Sequence, residues 1–424
     1  MVYLAGDNDL DDAGVDDLNE MKKVGSTEDI NVVAQFDRQG PKVHTRRYFV
    51  GKGGLWKKAD LGETDTGSPA VLIDFARWAI KNYPAEHYML VLWNHGNGWD
   101  DKDIYRAART EPALRNIAQP GRNNRRNFSS LLRNRIPDLN FRRTVFRSSV
   151  TRALAMVSTT RGIAYDDTSQ DFLDNRELKK ALTAIQKMIG RKLDVLGMDA
   201  CMMNMVEIGY QLRDHVTLVV GSEEIEDENG WPYDKVLDAL KSKPQMTGHA
   251  LSTEIVRCYN RKYDSKSNVT QSACDLSKSE DLGKAIDGLA AALTPLIMDP
   301  AMRFAMLTTR AQVQSYYRPD YVDLYDLCGL LAGHCSSKEV QTACVNVQQV
   351  IKKERFVVAN GSKGSAVKDS HGVSIYFPER SKGASGRISP LYRNLDFARE
   401  FRWAAFLRAW LKSLERRARQ KATP

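Results

Sequence analysis

Two side chains in this 424-residue chain stand where carbonyl chemistry could be done, a histidine and a cysteine that each follow an apolar run. The first run is Tyr88-Met89-Leu90-Val91-Leu92-Trp93, which leads into Asn94-His95-Gly96. The second is Leu193-Asp194-Val195-Leu196-Gly197-Met198, which leads into Asp199-Ala200-Cys201. Each reads as a buried strand delivering one reactive group at its C-terminal end, where open α/β sheets place their chemistry. A cysteine attacks an acyl carbon as its thiolate, and a histidine beside it protonates the leaving amine. Gly96 allows close backbone approach, so the N–H groups of Gly96 and Cys201 are candidates for an oxyanion hole. Residues 202–212 read as a helix, which would set Cys201 near a helix N-terminus whose unpaired N–H groups favour a thiolate. Taken singly, Cys201 reads as a buried small hydrophobe and His95 as a hydrogen-bonded loop residue. Their joint placement at two strand ends is what points to catalysis.

The elements that must position this pair alternate along the chain. Residues 30–36 and 45–50 are strand candidates. Ser68 and Pro69 open a helix as N-cap and first helical residue, and Val71, Leu72, Phe75, Trp78 and Ala79 share one face. Pro84 ends that helix, and the strand before His95 follows at once, a spacing that implies a parallel pair with a crossover. Asp174 or Asn175 caps a second helix through Leu178, Leu182, Ile185 and Ile189, and the strand before Cys201 comes next. Residues 216–220 form another buried strand, followed by an acidic loop over 223–228. Beyond about 270 the periodicity is mostly helical, as over 281–297 and 321–331, with one late strand at 372–377 and a final helix through Phe397, Phe401, Phe406, Trp410 and Leu414. We therefore divide the chain into a catalytic domain over 1–270 and a mostly helical domain over 271–424.

Composition narrows the class. Hydrophobic residues make up 42% and charged residues 27%, which suits a globular protein, and no apolar run reaches the length of a membrane span. The six cysteines are scattered without CxxC or metal-finger spacing, so they read as reduced thiols and not a disulfide framework. The net charge of +9 is local. Residues 101–161 hold 13 Arg and one Lys against three Asp and one Glu, a net +10, which leaves the rest of the chain near neutral at −1. Apolar content over 104–160 is too thin and aperiodic for a core, so this stretch reads as a partly disordered insertion.

The pair of motifs Asn94-His95-Gly96-Asn97-Gly98-Trp99 and Met198-Asp199-Ala200-Cys201 resembles the clostripain family of cysteine peptidases, which belongs with caspases, legumain and gingipains. The opening Tyr3-Leu4-Ala5-Gly6-Asp7-Asn8-Asp9-Leu10 is similar to that family's first strand, and Ser222-Glu223-Glu224 with Gly230-Trp231-Pro232-Tyr233 to its loop after the cysteine. The segment from Gly372 to Pro378 is similar to its late strand. The resemblance implies a caspase-like three-layer α/β/α fold with a mainly parallel sheet, and endopeptidase activity after Arg or Lys with Cys201 as nucleophile and His95 as acid/base. A basic P1 side chain needs a carboxylate at the bottom of its pocket. Asp199 is the first candidate and Asp227, in the acidic loop, the second. The chain departs from many relatives in carrying Asn229 where they have Asp before the Gly-Trp-Pro-Tyr run.

Relatives are often cut between the histidine and the cysteine. The Arg-rich insertion lies there, and Arg161 is one candidate cleavage site, so the chain is expected as a monomer or a self-cleaved two-chain form. Its arginines also suit an anionic surface or nucleic acid, the lesser reading, since the segment has few aromatic residues and no recognisable nucleic-acid fold. His371-Gly372 precedes a strand where His95 follows one, so it is a decoy. The sequence requires no cofactor and shows no His or Cys metal spacing. Asp7, Asp9, Asp11, Asp12, Asp16 and Asp17 form an acidic cluster that could take Ca²⁺, as some relatives do, or simply favour a helix N-terminus. No signal peptide precedes the first strand, and a clipped start would give the same opening, so the compartment stays open. Two other functions fit the residues: a catalytically silent caspase-like binding protein, and a Cys/His amidase or acyl transferase of another substrate class.

Overall fold

A computed structural model describes residues 1–40, 43–100, 163–227, 229–352, 355–379 and 388–422. The chain opens in β1 (Val2–Gly6), turns through α1 (Asp11–Val24), and returns in β2 (Val33–Arg38) parallel to β1. β3 (Arg46–Gly51) and β4 (Gly54–Asp60) extend that edge as antiparallel strands. Helix α2 (Pro69–Asn82) then carries the chain back to β5 (Met89–Trp93), on the other side of β1.

After the hairpin β6 (Ile163–Asp166) and β7 (Asp171–Leu173), helix α3 (Asn175–Ile189) leads into β8 (Leu193–Asp199), parallel to β5. Asp174 caps α3 by accepting from Arg176 and Glu177 N–H, and Glu177 returns the bond to the cap backbone. Such a capping box fixes where a helix begins. The short α4 (Val206–Leu212) joins β8 to β9 (Val216–Gly221), again parallel. Then follow α5 (Tyr233–Ser242), α6 (Gly248–Lys262) and β10 (Val269–Asp275).

The remainder comprises α7 (Ser279–Leu293), α8 (Pro300–Gln312), β11 (Tyr321–Asp323), α9 (Leu324–His334), α10 (Lys338–Ile351), β12 (Val357–Lys363), β13 (Ser374–Tyr376), α11 (Asp396–Glu400) and α12 (Trp403–Ala422).

Among the described residues the main sheet has nine strands in the order β12-β10-β9-β8-β5-β1-β2-β3-β4, with β9, β8, β5, β1 and β2 parallel. Alternate side chains of its central strands feed two cores. Tyr3, Ala5, Leu90 and Leu92 pack with α2 and α3, while Val2, Leu4, Val91 and Trp93 pack with α1, α5 and α6. Coverage on both faces is why these strands read as unbroken apolar runs, and it produces the expected three-layer α/β/α architecture.

Several expectations are corrected. The helix expected over 202–212 begins only at Val206. Met202 adopts the left-handed conformation with φ 58°, which breaks a right-handed helix, and Met205 bridges to Ser374 in extended form. Cys201 therefore sits in a turn and not at a helix N-terminus. The segment beyond 270 supplies more strand than expected. The boundary drawn near 270 falls inside β10, and both β10 and β12 belong to the main sheet. They went unread because Thr270, Gln271 and Ser272 are polar yet fully buried, and β12 is an edge strand ending in Asn-Gly-Ser-Lys. The late strand does exist, but it pairs with β11 in a separate two-stranded sheet. The expected helix over 321–331 starts at Leu324, after Asp323 has capped it through Asp326 N–H. The final helix is split into α11 and α12.

Candidate active site

Register places the two motifs together. β5 and β8 are neighbours with Trp93 beside Asp199, so His95 and Cys201 each lie two residues past one paired position. Asn94 N–H donates to the Asp199 carbonyl at 3.3 Å, which carries the pairing one step beyond the strands. Gly96 is wedged against the cysteine turn. A Cβ there would lie 2.5 Å from the Cys201 carbonyl oxygen and 3.0 Å from Ala200 Cβ. The backbone of the histidine turn thus rests on that of the cysteine turn because residue 96 has no side chain.

His95 is held by a residue outside its own motif. Its Nε2 is 2.8 Å from Asp9 Oδ1, and both side chains are largely buried. Asp9 lies in the turn after β1, the strand on the far side of β5 from β8. Within that turn Asn8 donates to the Ala5 carbonyl and accepts from Leu10 N–H. The sequence marked Asp9 only as one member of an acidic cluster, and nothing local ties it to His95. The chain beyond His95 is pinned from the C-terminal part of the molecule. Arg318 Nε donates to Asn97 Oδ1 at 2.7 Å and its guanidinium pairs with Asp100 at 3.5 Å, while Tyr321 hydroxyl donates to the Asn97 carbonyl.

Cys201 is partly exposed, and its Sγ accepts from Glu226 N–H at 3.4 Å. Met202 N–H donates to the Glu224 carbonyl, and Asn204 N–H to the Ser222 carbonyl. The acidic loop is therefore laced to the cysteine turn by backbone hydrogen bonds. Among the described residues no disulfide joins the cysteines, and only Cys201 of them is not buried.

Beneath the cysteine turn lies a group of buried acids. Asp199 is 5% exposed, and its Oδ2 accepts from Tyr233 hydroxyl at 2.7 Å and from Trp231 N–H at 3.3 Å. Glu226 is buried beside it, accepts from the Trp231 indole N–H and leaves Oε2 without a partner. Burial first, and then the Asp199 charge, push the Glu226 carboxyl well above its ordinary range. Asp17 accepts from the Trp93 indole N–H at 2.7 Å and is pushed up by the same two causes. Asp227 is turned into its own loop, where Oδ1 accepts from both the backbone N–H and the side-chain amide of Asn229. Lys262 and Tyr263 of α6 clamp the same loop through the Asn229 and Gly230 carbonyls. Glu226 is not distinguishable in the sequence, since its neighbours are equally acidic and only its tertiary contact with Asp199 separates it from buried Glu223, which faces Asp323.

His371 is engaged elsewhere. Its N–H and Nδ1 contact Asp323, and its ring stacks on Tyr325. The N-terminal acids do not act as one cluster. Asp9 faces His95, Asp11 pairs with Arg38 through two hydrogen bonds, Asp17 faces Trp93, and Asp7 accepts from Thr168 N–H. Arg161 and the insertion 104–160 lie outside the described residues.

Comparison with known proteins agrees with this architecture. The model of the clostripain family matches residues 2–126 and 152–410. Clostripain of Hathewaya histolytica is 23% identical over 455 residues, covering 90% of this chain and 74% of that protein. Among solved structures, a secreted C11 cysteine protease from Bacteroides thetaiotaomicron bound to an irreversible peptide inhibitor superposes with a TM-score of 0.60 at 18% identity, covering 96% and 97% of the two chains. An inactive zymogen C11 protease from Parabacteroides distasonis gives 0.60 at 18% identity, covering 94% and 96%. Fold and family match together define a cysteine-type endopeptidase of caspase-like architecture, whose substrates are polypeptides. The chain belongs to the clostripain family. Among the described residues no helix is long and apolar enough to cross a membrane.

Proposed function

We propose that this peptidase cleaves after Arg or Lys, with Cys201 as nucleophile and His95 as acid/base. The observation that supports the reading is the β5–β8 register, in which residues 95 and 201 each follow by two positions the paired Trp93 and buried Asp199. Cys201 gives its thiol proton to His95 and Sγ attacks the scissile carbonyl carbon, while the Gly96 and Cys201 N–H groups receive the oxyanion. His95 gives a proton to the departing amine, leaving a thioester. Water then attacks the thioester with His95 as base, releasing the acid and restoring the thiol. Asp199 supplies a carboxylate that a guanidinium or ammonium would pair with, and the buried Glu226 and Asp17 carboxyls, pushed up by burial and by Asp199, offer further acceptor oxygens around it. With Asp227 bonded to Asn229, the reading gives Asp199 the main S1 role and leaves Asp227 the second candidate. The Arg-rich stretch 104–161, including Arg161, is the proposed self-cleavage segment. A cut there leaves β5 held beside β8 by its ladder, so both halves stay in one sheet.

The test is hydrolysis of matched fluorogenic peptides with Arg, Lys, Asp or Leu at P1 by wild type, Cys201→Ala and Asp199→Asn. Arg and Lys peptides should turn over, Cys201→Ala should abolish turnover and self-cleavage, and Asp199→Asn should lower kcat/KM for Arg by roughly 10²-fold or more. Preference for Leu or Asp, or activity surviving in Cys201→Ala, would overturn the assignment.

A further inference from the structure

We propose that Tyr317 is a specificity-determining residue, whose exposed ring takes an apolar side chain of the substrate next to P1. The proposal rests on Cys201 and His95 being the reacting pair. Tyr317 lies in a strap, residues 313–320, that connects α8 to β11. The strap is fastened to both arms of the site. On the cysteine side, Tyr317 N–H donates to both carboxylate oxygens of Glu224, at 3.0 and 3.1 Å. The Glu224 carbonyl in turn accepts Met202 N–H at 3.0 Å, and the same loop runs on to Glu226, whose N–H donates to Cys201 Sγ. On the histidine side, the next residue of the strap, Arg318, holds Asn97 and Asp100, and Tyr321 hydroxyl donates to the Asn97 carbonyl. Tyr317 therefore stands where the chain crosses from the cysteine turn to the histidine turn, flanking the place of the scissile carbonyl.

The second observation is the contrast in exposure along the strap. Tyr316, Arg318 and Tyr321 are buried, whereas Tyr317 is 41% exposed. The backbone beneath it is held at several points. Gln314 N–H donates to Asp326, Tyr316 N–H to the Tyr321 carbonyl, and Tyr321 N–H to the Arg318 carbonyl, while the Asp320 carbonyl accepts Phe377 N–H. A large ring left in solvent on so fixed a backbone has little freedom to lose when a partner covers it. Tyrosine offers a broad contact face with few torsions, which is why it recurs at the centre of recognition surfaces.

The surroundings name the class of side chain. The Glu224 carboxyl accepts Tyr317 and Ile225 N–H groups, and burial pushes it up to about 7. A carboxyl so engaged attracts a second basic residue weakly. What remains to be offered is the ring itself, an apolar and aromatic face with a polar tip. Leucine, methionine or an aromatic residue beside P1 would cover it and remove apolar surface from water.

The test uses the full chain and fluorogenic peptides with one P1 residue held constant, in which Leu, Phe, Ala, Asp and Lys are placed in turn at P2 and at P1′. Wild type should favour Leu or Phe over Ala at one of these positions by roughly tenfold in kcat/KM. Tyr317→Ala should erase that preference and leave the ranking at P1 unchanged, and Tyr317→Phe should retain it. A wild type indifferent at both positions would overturn the proposal. So would a Tyr317→Ala profile that matches wild type, or a loss equal for every peptide, which marks a purely structural part. The scan is run at whichever P1 residue turns over fastest, so a P1 other than Arg or Lys overturns the P1 reading without touching this one. Activity surviving in Cys201→Ala would fail the nucleophile, whereas an unchanged scan in Tyr317→Ala fails the subsite, so the two outcomes are distinct.

Discussion

His95 depends on a neighbour that its own motif does not contain. Asp9 Oδ1 sits 2.8 Å from Nε2 with little solvent around either side chain, so the carboxylate holds the ring in one orientation. Replacing Asp9 by Asn keeps the shape and removes the charge. We expect kcat to fall by roughly 10²-fold with KM little changed, since in the proposed mechanism the contact acts on the acid/base and not on substrate binding. Steady-state kinetics beside a melting curve check this, and a loss confined to Tm would assign Asp9 a purely structural part. His95, Cys201 and Gly96 were legible because each closes or follows an apolar run. Asp9 and Glu226 were not, because a partner 86 residues away, or the tertiary contact of one acid among the five of its loop, leaves no local signal.

The strand pair and its two turns set the separation of the backbones at His95 and Cys201. At Gly96 the turn after β5 packs directly on the turn after β8. In Gly96→Ala the new methyl carbon would meet the Cys201 carbonyl at 2.5 Å and Met203 Cγ at 2.9 Å, and a backbone carbonyl cannot swing aside as a flexible side chain can. The turns should separate by a fraction of an ångström to an ångström, enough to lower kcat/KM by roughly 10²-fold while the sheet stays folded. Peptide hydrolysis with circular dichroism tests this, and full activity in the alanine variant would show that the turns yield cheaply. The strands themselves were legible from their apolar runs. The turn after Cys201 was not, because Met202-Met203-Asn204-Met205 continues the apolar character of α4, while tertiary bridging to Ser374 draws the backbone out of helix.

Across the whole molecule, the last hundred residues close around the site. Arg318 and Tyr321 pin the chain after His95, and Glu207 of α4 receives Tyr376 N–H and the Tyr392 hydroxyl from the far end of the chain. Glu207 is fully buried, and burial pushes its carboxyl from 4.5 up to about 7. A carboxyl raised on folding costs no stability below its unfolded value. The cost accrues as pH climbs from 4.5 to about 7 and is constant above that. Glu207→Gln keeps an acceptor for both donors and cannot ionise. In a Cys201→Ala background its Tm relative to the parent should therefore rise across that interval and then level off. Parallel Tm curves from pH 4.5 to 8 would show that Glu207 does not titrate on folding.

The sequence by itself determined the alternating α/β order, the buried strands that end near His95 and Cys201, the helices of the first half and the cysteine-peptidase family those motifs resemble. These are properties of periodicity and strand ends, which a linear pattern records. Only the tertiary structure decided that Asp9 faces His95 and that Glu226 lies against Asp199. It also decided that β10 and β12 complete the main sheet. Each of these joins residues remote in sequence or separates like residues by tertiary contact alone. Such pairings are set by sheet order and crossover, which a local pattern of apolar and polar residues does not encode.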